Sequence, residues 1–256
     1  MKTDIELTIT DGIATITINR PKRRNALDLA STAAFTVAVQ EVNRNDKVQA
    51  VVITGAGGFF CAGADLSEMA DKGAVYQPWA GADGPLARPC HKPVIAAVEG
   101  YAVAGGLGVA LWADLRVASE SAVFGVFCRR FGVPMSDGTP TRLPKVVGQS
   151  RALDMLLTGR PVYAEEALRI GLSDRLAPEG KALEVARNLA KEISDFPTLA
   201  MRADRIAAWC AHDGDETAML IQENEGAQAA KNAEAAYGAI QFNKGAGRGG
   251  RSEKKI

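Results

Sequence analysis

The stretch Lys92–Ser119, KPVIAAVEGYAVAGGLGVALWADLRVAS, constrains this chain more than any other part of it. It reads as an apolar strand, a glycine-rich turn, a short helix and a second strand. Gly105 and Gly106 fall where the turn becomes the helix. Backbone N–H groups at a helix start have no intrahelical partner, and the helix dipole adds positive potential there. Glycine carries no Cβ, so a ligand carbonyl can come close to the bare main chain. Such a place suits an oxygen that gains negative charge during a reaction.

Composition narrows what surrounds that feature. With 256 residues the chain can bury a substantial core and lies near the upper limit for one domain. Thirty basic and thirty acidic residues cancel, so no global field favours nucleic acid or an anionic membrane. The start, MKTDIELTITDG, alternates like a strand and lacks the apolar centre of a signal peptide. No apolar run approaches the ~18 residues of a membrane span. Cys61, Cys90, Cys128 and Cys210 are scattered and form no CxxC pair, which argues against a metal or disulfide framework and for reduced thiols in a cytoplasm. With His91 and His212 the only histidines, a histidine-based metal site is not expected.

The first third alternates strand and helix. Ile5–Thr10 and Ile13–Asn19 predict a hairpin around Thr10-Asp11-Gly12. A helix is expected over Leu27–Asn43, a short strand over Ala50–Thr54, and a helix from Ala64 to Ala70 with Asp65 in its first turn. Pro78, Gly81, Gly84, Pro85 and Pro89 loosen the segment Tyr76–His91 into an expected mobile surface loop beside the site. A turn, a run at Ala122–Phe124 and a Gly/Pro-interrupted segment through Pro134 follow. Helices are predicted over Thr139–Val147, Ser150–Thr158 and Ala164–Ile170, with a strand near Asp174–Ala177. The pattern from Lys181 to Phe242 is almost wholly helical, and GAGRGGRSEKKI reads as a flexible solvated tail. Early strands with crossover helices and a helical last third argue for an α/β fold with parallel pairing.

A second segment, Phe59-Phe60-Cys61-Ala62-Gly63-Ala64-Asp65-Leu66, also runs from a turn into a helix. Two such N–H donors converging on one point would make an oxyanion hole, whereas either segment alone reads as an ordinary tight turn packed in an α/β core.

FCAGADLSEM, KPVIAAVEGYAVAGGLGVAL and RLPKVVGQSRALDMLLTGRPVYAEEALRIGLSDRL, with NRPKRRNAL before them, resemble the signature segments of the enoyl-CoA hydratase/isomerase (crotonase) family, in that family's order and over nearly the whole chain. The resemblance implies a ββα superhelical spiral over residues 1–195, a helical region over 196–243 that covers the core or meets another subunit, and a basic tail over 244–256. It implies a homotrimer or dimer of trimers and an acyl-CoA thioester substrate. No cofactor is implied beyond the coenzyme A of that substrate, and no metal. Oxyanion-hole N–H groups fall on Ala64 and Gly105, with Gly106 beside them. Coenzyme A contacts fall on Arg23, Arg24, Ala26, Ala62, Asp65 and Leu66, where Arg23 or Arg24 would suit a phosphate by charge-assisted hydrogen bonding or be simply an exposed basic turn.

The chain departs from the family at two positions. Hydratases of the family use two glutamates, and the matching positions hold Gly108 and Cys128. Gly108 lies on roughly the same helix face as Gly105, so its missing side chain should leave room in the pocket. Asp137 is the best replacement acid or base, and equally a cap for the helix beginning near Thr139. Cys128 is a nucleophile only with a depressed pKa, and otherwise a buried inert thiol. Arg129 and Arg130 are expected to form structural ion pairs rather than to receive a substrate carboxylate, and His91 to be a surface histidine. The expected function is lyase or isomerase chemistry on acyl-CoA through an enolate, weak as simple hydration; the other reading is a non-catalytic acyl-CoA-binding protein. Dinucleotide binding fares poorly, because Leu111 stands where a third glycine should be.

Overall fold

The computed structural model describes residues 3–72, 79–211 and 216–235. Two compact units divide the chain, Met1–Ala190 and Lys191–Ile256. His212, the expected basic tail, the end of the expected helical run and residues 76–78 of the expected loop lie outside the described residues.

In the first unit, strand β1 (Ile5–Thr10) turns back on β2 (Ile13–Ile18) with Thr10 opposite Ile13. Asp11 and Gly12 between them take φ of 51° and 76°, the pair of positive values that a two-residue hairpin requires. Helix α1 (Leu29–Arg44) then crosses to β3 (Ala50–Gly55), which pairs parallel to β2. Its start is held by a reciprocal cap: the Ser31 N–H donates to Asp28 Oδ1 at 2.8 Å, and the Asp28 N–H donates to Ser31 Oγ at 2.9 Å. Helix α2 (Leu66–Lys72) follows, then β4 (Val94–Val98), parallel to β3.

After β4 the chain leaves this sheet. Strand β5 (Tyr101–Val103) leads into helix α3 (Gly105–Trp112), and β6 (Leu115–Ser119) returns beside β4. Strand β7 (Val123–Gly125) pairs parallel to β5. A 3-10 turn over Phe127–Phe131 leads to α4 (Thr139–Val147) and α5 (Gln149–Thr158), then β8 (Val162–Tyr163), α6 (Ala164–Arg169), β9 (Arg175–Ala177) and α7 (Ala182–Ser194). The result is a six-stranded sheet in the order β1-β2-β3-β4-β6-β9 and a three-stranded sheet in the order β5-β7-β8. This α/β architecture agrees with the sequence; the second sheet is not apparent there, because three- and two-residue strands carry no readable period.

Every residue of β4 is buried, as a strand covered on both faces must be. Helix α3 is buried along its whole length and so shows no polar face. Phe35 of α1 meets the Trp112 ring edge-on at 6.4 Å, joining the two helices in one core. In the second unit α8 (Thr198–Cys210) and α9 (Glu216–Ala230) pack together, and the Glu234 carboxylate accepts the Leu199 and Ala200 N–H groups at 2.9 Å, capping α8.

The expected surface loop needs correction. From Trp79 to His91 the chain carries Trp79, Leu86 and Cys90 into the core. Its backbone is anchored at several points: Arg88 O accepts the Trp112 Nε1–H at 2.7 Å, and Leu86 O accepts from Arg142. The segment remains an irregular loop with Ala82, Asp83, Arg88 and His91 exposed, but it is pinned to the core at three side chains. Helix α2 likewise begins two residues later than expected, with Asp65 before it, accepting the Ser67 N–H at 3.1 Å. The helical run after Lys181 is broken at the end of α7 and again after α8.

Candidate active site

The site is built where three segments cross. Around Cys61 the chain pairs with β5: the Cys61 N–H donates to Tyr101 O at 2.9 Å, and the Val103 N–H donates to Cys61 O at 3.1 Å. Three residues on it pairs with Leu27, whose N–H donates to Gly63 O and whose carbonyl accepts the Asp65 N–H. Strand geometry alternates, so these two bonds on either side of Ala64 turn the Ala64 N–H away from Leu27. That N–H has no hydrogen-bond partner among the described residues.

Gly105 opens α3, where first-turn N–H groups are left over. No side chain caps this helix: its N-cap is Ala104, at φ 51° and ψ −128°. An alanine in that region stores strain of about 1–3 kcal/mol. The Ala104 N–H is tied to Gly125 O at 2.9 Å, whereas the Gly105 N–H has no partner among the described residues. Gly63, at φ 96°, lies so near that a Cβ there would sit 2.7 Å from Gly105 N. Only glycine lets the two segments approach this closely.

Ala62, Ala64, Leu66, Ala104, Gly105, Phe127, Cys128, Phe131, Val133, Pro134, Met135 and Asp137 enclose one cavity of about 90 Å³. Asp137 is its single carboxylate among the described residues, 1% exposed. Burial holds the carboxyl above the ordinary range, against the opposing hydrogen bond from the Thr139 N–H (2.9 Å to Oδ1). Asp137 is not the cap residue of α4, which is Gly138, but its side chain ties the first helical N–H, and it also lines the cavity. Burial likewise raises the Cys128 thiol, and the Asp137 charge adds to it; Cys128 Sγ donates to Met135 Sδ at 3.0 Å. Cys61 is pushed up to about 12 by burial, with a further push from Asp137. Neither thiol is a thiolate near neutral pH, so the inert reading of Cys128 is the one the geometry supports.

The other sequence candidates divide clearly. Gly106 lies outside the cavity, pressed on the Cys61 carbonyl, where a Cβ would meet the oxygen at 2.0 Å. Gly108 lies under the Asp137 side chain. Arg23 and Arg24 are exposed; Arg23 Nη1 donates to Ser67 Oγ at 3.1 Å, and the Arg24 guanidinium lies 5.8 Å from the Tyr101 ring centre. Ala26 is buried beside them, and Asp65 pairs with Arg20 at 3.3 Å. The expected ion pairs of Arg129 and Arg130 give way to hydrogen bonds to the carbonyls of Leu156 and Gly159, with Arg130 stacked 4.3 Å from the Phe127 ring centre. His91 is exposed.

Four positions escape sequence reading. Asn25, at φ 58°, accepts the Arg20 N–H and donates to Ala56 O and Phe59 O, locking the Arg23–Ala26 turn to the segment before Cys61. An asparagine inside a basic turn was its only signal. Arg20 bonds Ala26 O and pairs with Asp28 at 2.5 Å. Trp79 lies over Gly105, where a Cβ would meet its ring at 2.5 Å, and Arg142 joins Asp137 O to Leu86 O at 3.1 and 2.5 Å. Nothing local in the sequence marks these last contacts.

Comparison with known proteins places the chain. The sequence profile of the enoyl-CoA hydratase/isomerase family matches residues 8–235. Enoyl-CoA hydratase EchA19 of Mycobacterium tuberculosis is 38% identical over 195 residues, 73% of this chain and 73% of that protein. The (E)-benzylidenesuccinyl-CoA hydratase of Thauera aromatica is 36% identical over 214 residues, 82% of this chain and 83% of that one. A crystal structure of enoyl-CoA hydratase from Mycobacterium tuberculosis H37Rv matches with a TM-score of 0.88 at 33% identity, covering 95% of this chain and 96% of that one. Two unpartnered amides beside a buried carboxyl stand, in this chain, on the fold of those proteins: it belongs to the enoyl-CoA hydratase/isomerase family.

Proposed function

We propose that this protein is an enzyme that moves a proton on an acyl-CoA thioester, with the Ala64 and Gly105 N–H groups as its oxyanion hole and Asp137 as its proton carrier. The observation that carries this reading is the pair of unpartnered N–H groups bordering the cavity that Asp137 lines. Asp137, as carboxylate, takes a proton from the carbon next to the thioester carbonyl. The C–H electron pair moves into the carbonyl, and the two N–H groups hold the resulting oxyanion. Return of the proton to a carbon further along an unsaturated chain shifts the double bond, with no net gain or loss of atoms. One such N–H donor is worth about 10²–10³ in rate.

Hydration has less support. Adding water needs one group to activate the water and a proton for the carbon, and among the described residues the cavity holds one carboxylate. Simple enoyl-CoA hydration is therefore proposed to be weak. Among the described residues the lining is apolar apart from Asp137 and the raised Cys128 thiol, and Arg129 and Arg130 are turned to main-chain carbonyls. A neutral, apolar acyl group suits it. Arg23 and Arg24 at the exposed turn, with Ala26, Ala62, Asp65 and Leu66, are the proposed coenzyme A contacts; no further cofactor or metal is required. Four free cysteines suit a cytoplasmic setting, and the proposed assembly is a homotrimer or dimer of trimers that would cover exposed apolar side chains such as Leu157 and Ile221.

Exchange in deuterated water tests the core of the proposal without knowledge of the natural acyl group. Butyryl-CoA incubated with the protein should take up deuterium next to the carbonyl, followed by mass spectrometry, while crotonyl-CoA is hydrated slowly. Binding without exchange would leave an acyl-CoA-binding protein, and hydration at the rate of an efficient hydratase would refute the single-carboxyl reading.

A further inference from the structure

We propose that Gly108 and Asp137 are one functional unit, in which the missing side chain on α3 is the specificity-determining feature that admits the Asp137 carboxyl to the cavity. The catalytic half of this rests on the proton-carrier reading above; the structural half stands without it. A Cβ built on Gly108 would lie 2.5 Å from Asp137 Cγ, 2.7 Å from its Cβ and 2.9 Å from Oδ1. Real side chains do not approach so closely, so any residue other than glycine at 108 must displace the carboxyl.

Asp137 has little freedom to move aside. Its Oδ1 accepts the Thr139 N–H at 2.9 Å, and its carbonyl accepts from Arg142 Nη1 at 3.1 Å. The next residue is Gly138 at φ 88°, where a Cβ would meet Arg142 Nη1 at 2.2 Å. On the other side Ser136 O accepts the Ala80 N–H at 3.1 Å. The loop is thus fixed from both sides over Gly108.

Gly108 stands three residues after Gly105, on the same side of α3. The carboxyl resting on Gly108 is therefore delivered one turn along the helix from the free Gly105 N–H, on the face that borders the cavity. The groups facing it are Cys61 and Cys128, both neutral thiols, and Arg142. An acid carried by α3 itself would need the space that Asp137 fills. Position 108 thus decides which element supplies the acid: with glycine there it comes from the loop before α4, and a side chain there excludes it.

A double-mutant cycle tests this, read by melting temperature and by deuterium uptake into butyryl-CoA. Gly108→Ala in the native background should lower Tm by about 3–8 °C through overpacking and slow uptake at least tenfold. In the Asp137→Gly background the same change should leave Tm unchanged or raise it, since alanine outdoes glycine inside a helix. Gly108→Glu combined with Asp137→Gly should fold and take up deuterium at least tenfold faster than Asp137→Gly alone. Equal Tm losses in both backgrounds would overturn the unit, and so would a Gly108→Ala protein with native uptake. If Gly108→Ala alone does not fold, recovery of folding on adding Asp137→Gly upholds the proposal and failure to recover overturns it. Absence of uptake by the native protein removes the proton-carrier reading and the catalytic half with it, while the Tm cycle still decides the structural half.

Discussion

Asp28, the cap of α1, and Asp137, one residue before the cap of α4, each accept a backbone N–H at a helix start and end in opposite electrostatic states. Each precedes a helix and accepts a backbone N–H, from Ser31 at 2.8 Å and from Thr139 at 2.9 Å. Burial would raise the Asp28 carboxyl, but the Ser31 hydrogen bonds and the Arg20 guanidinium 2.5 Å away outweigh it and hold it below the ordinary range. Asp137 is almost fully buried, has no ion pair among the described residues, and is held above that range. The cationic group near it, Arg142, spends its hydrogen bonds on main-chain carbonyls. A carboxylate at a helix start becomes a candidate acid when tertiary packing buries it without an ion pair.

That contrast can be broken experimentally. Asp137→Asn keeps the size and an acceptor for the Thr139 N–H while removing the proton carrier. Deuterium uptake into butyryl-CoA should fall by about 10²–10⁴, with the fold intact by circular dichroism. Native uptake by this variant would make Asp137 a second Asp28. The reciprocal change, Asp28→Ala, should cost about 1 kcal/mol in denaturant unfolding and leave uptake unchanged, because the α1 cap lies outside the cavity.

The smallest effect sharpens the comparison most, because its sign differs between the two residues. Asp28 has a lowered pKa, so its contribution to stability is present above the ordinary carboxylate value and is lost as pH falls through its lowered value. The stability gap between the native protein and Asp28→Ala should therefore close in acid. Asp137 has a raised pKa, so folding favours its protonated form, and that contribution is lost as pH rises through the raised value. Asp137→Asn should gain stability on the native protein at neutral pH, and the gain should shrink as pH falls through the raised value and be gone below the ordinary carboxylate value. Unfolding curves of the three proteins between acid and neutral pH give both slopes; slopes of the same sign would mean that the two sites are alike.

Much of the architecture is legible in one dimension. Local rules suffice for the β1–β2 hairpin, where Asp11-Gly12 supplies the turn, and for α4, whose bounds Thr139–Val147 match the periodicity. The Gly105 position at a helix start follows from a strand, a glycine turn and a helix in sequence order, whereas Ala64 is named by family resemblance and its bare amide comes from the bridge to Leu27. The Trp79–His91 loop reads rightly as irregular, but its three buried anchors do not show, because glycine and proline signal the absence of regular structure and say nothing about burial. Asn25, Arg20, Trp79 and Arg142 leave almost no trace, since each acts on residues distant in sequence.

The sequence by itself determined that the Gly105 amide falls at a helix start and which acid or base candidates exist, because both follow from residue type and local order. Only the tertiary structure decided that the Leu27 bridge bares the Ala64 amide, that Asp137 stands over Gly108, and that its carboxyl is buried with no ion pair among the described residues while Asp28 is paired. Hydrogen bonding at a helix start is a short-range property. Desolvation and charge pairing are sums over everything that packs nearby, and those neighbours are assembled by the fold.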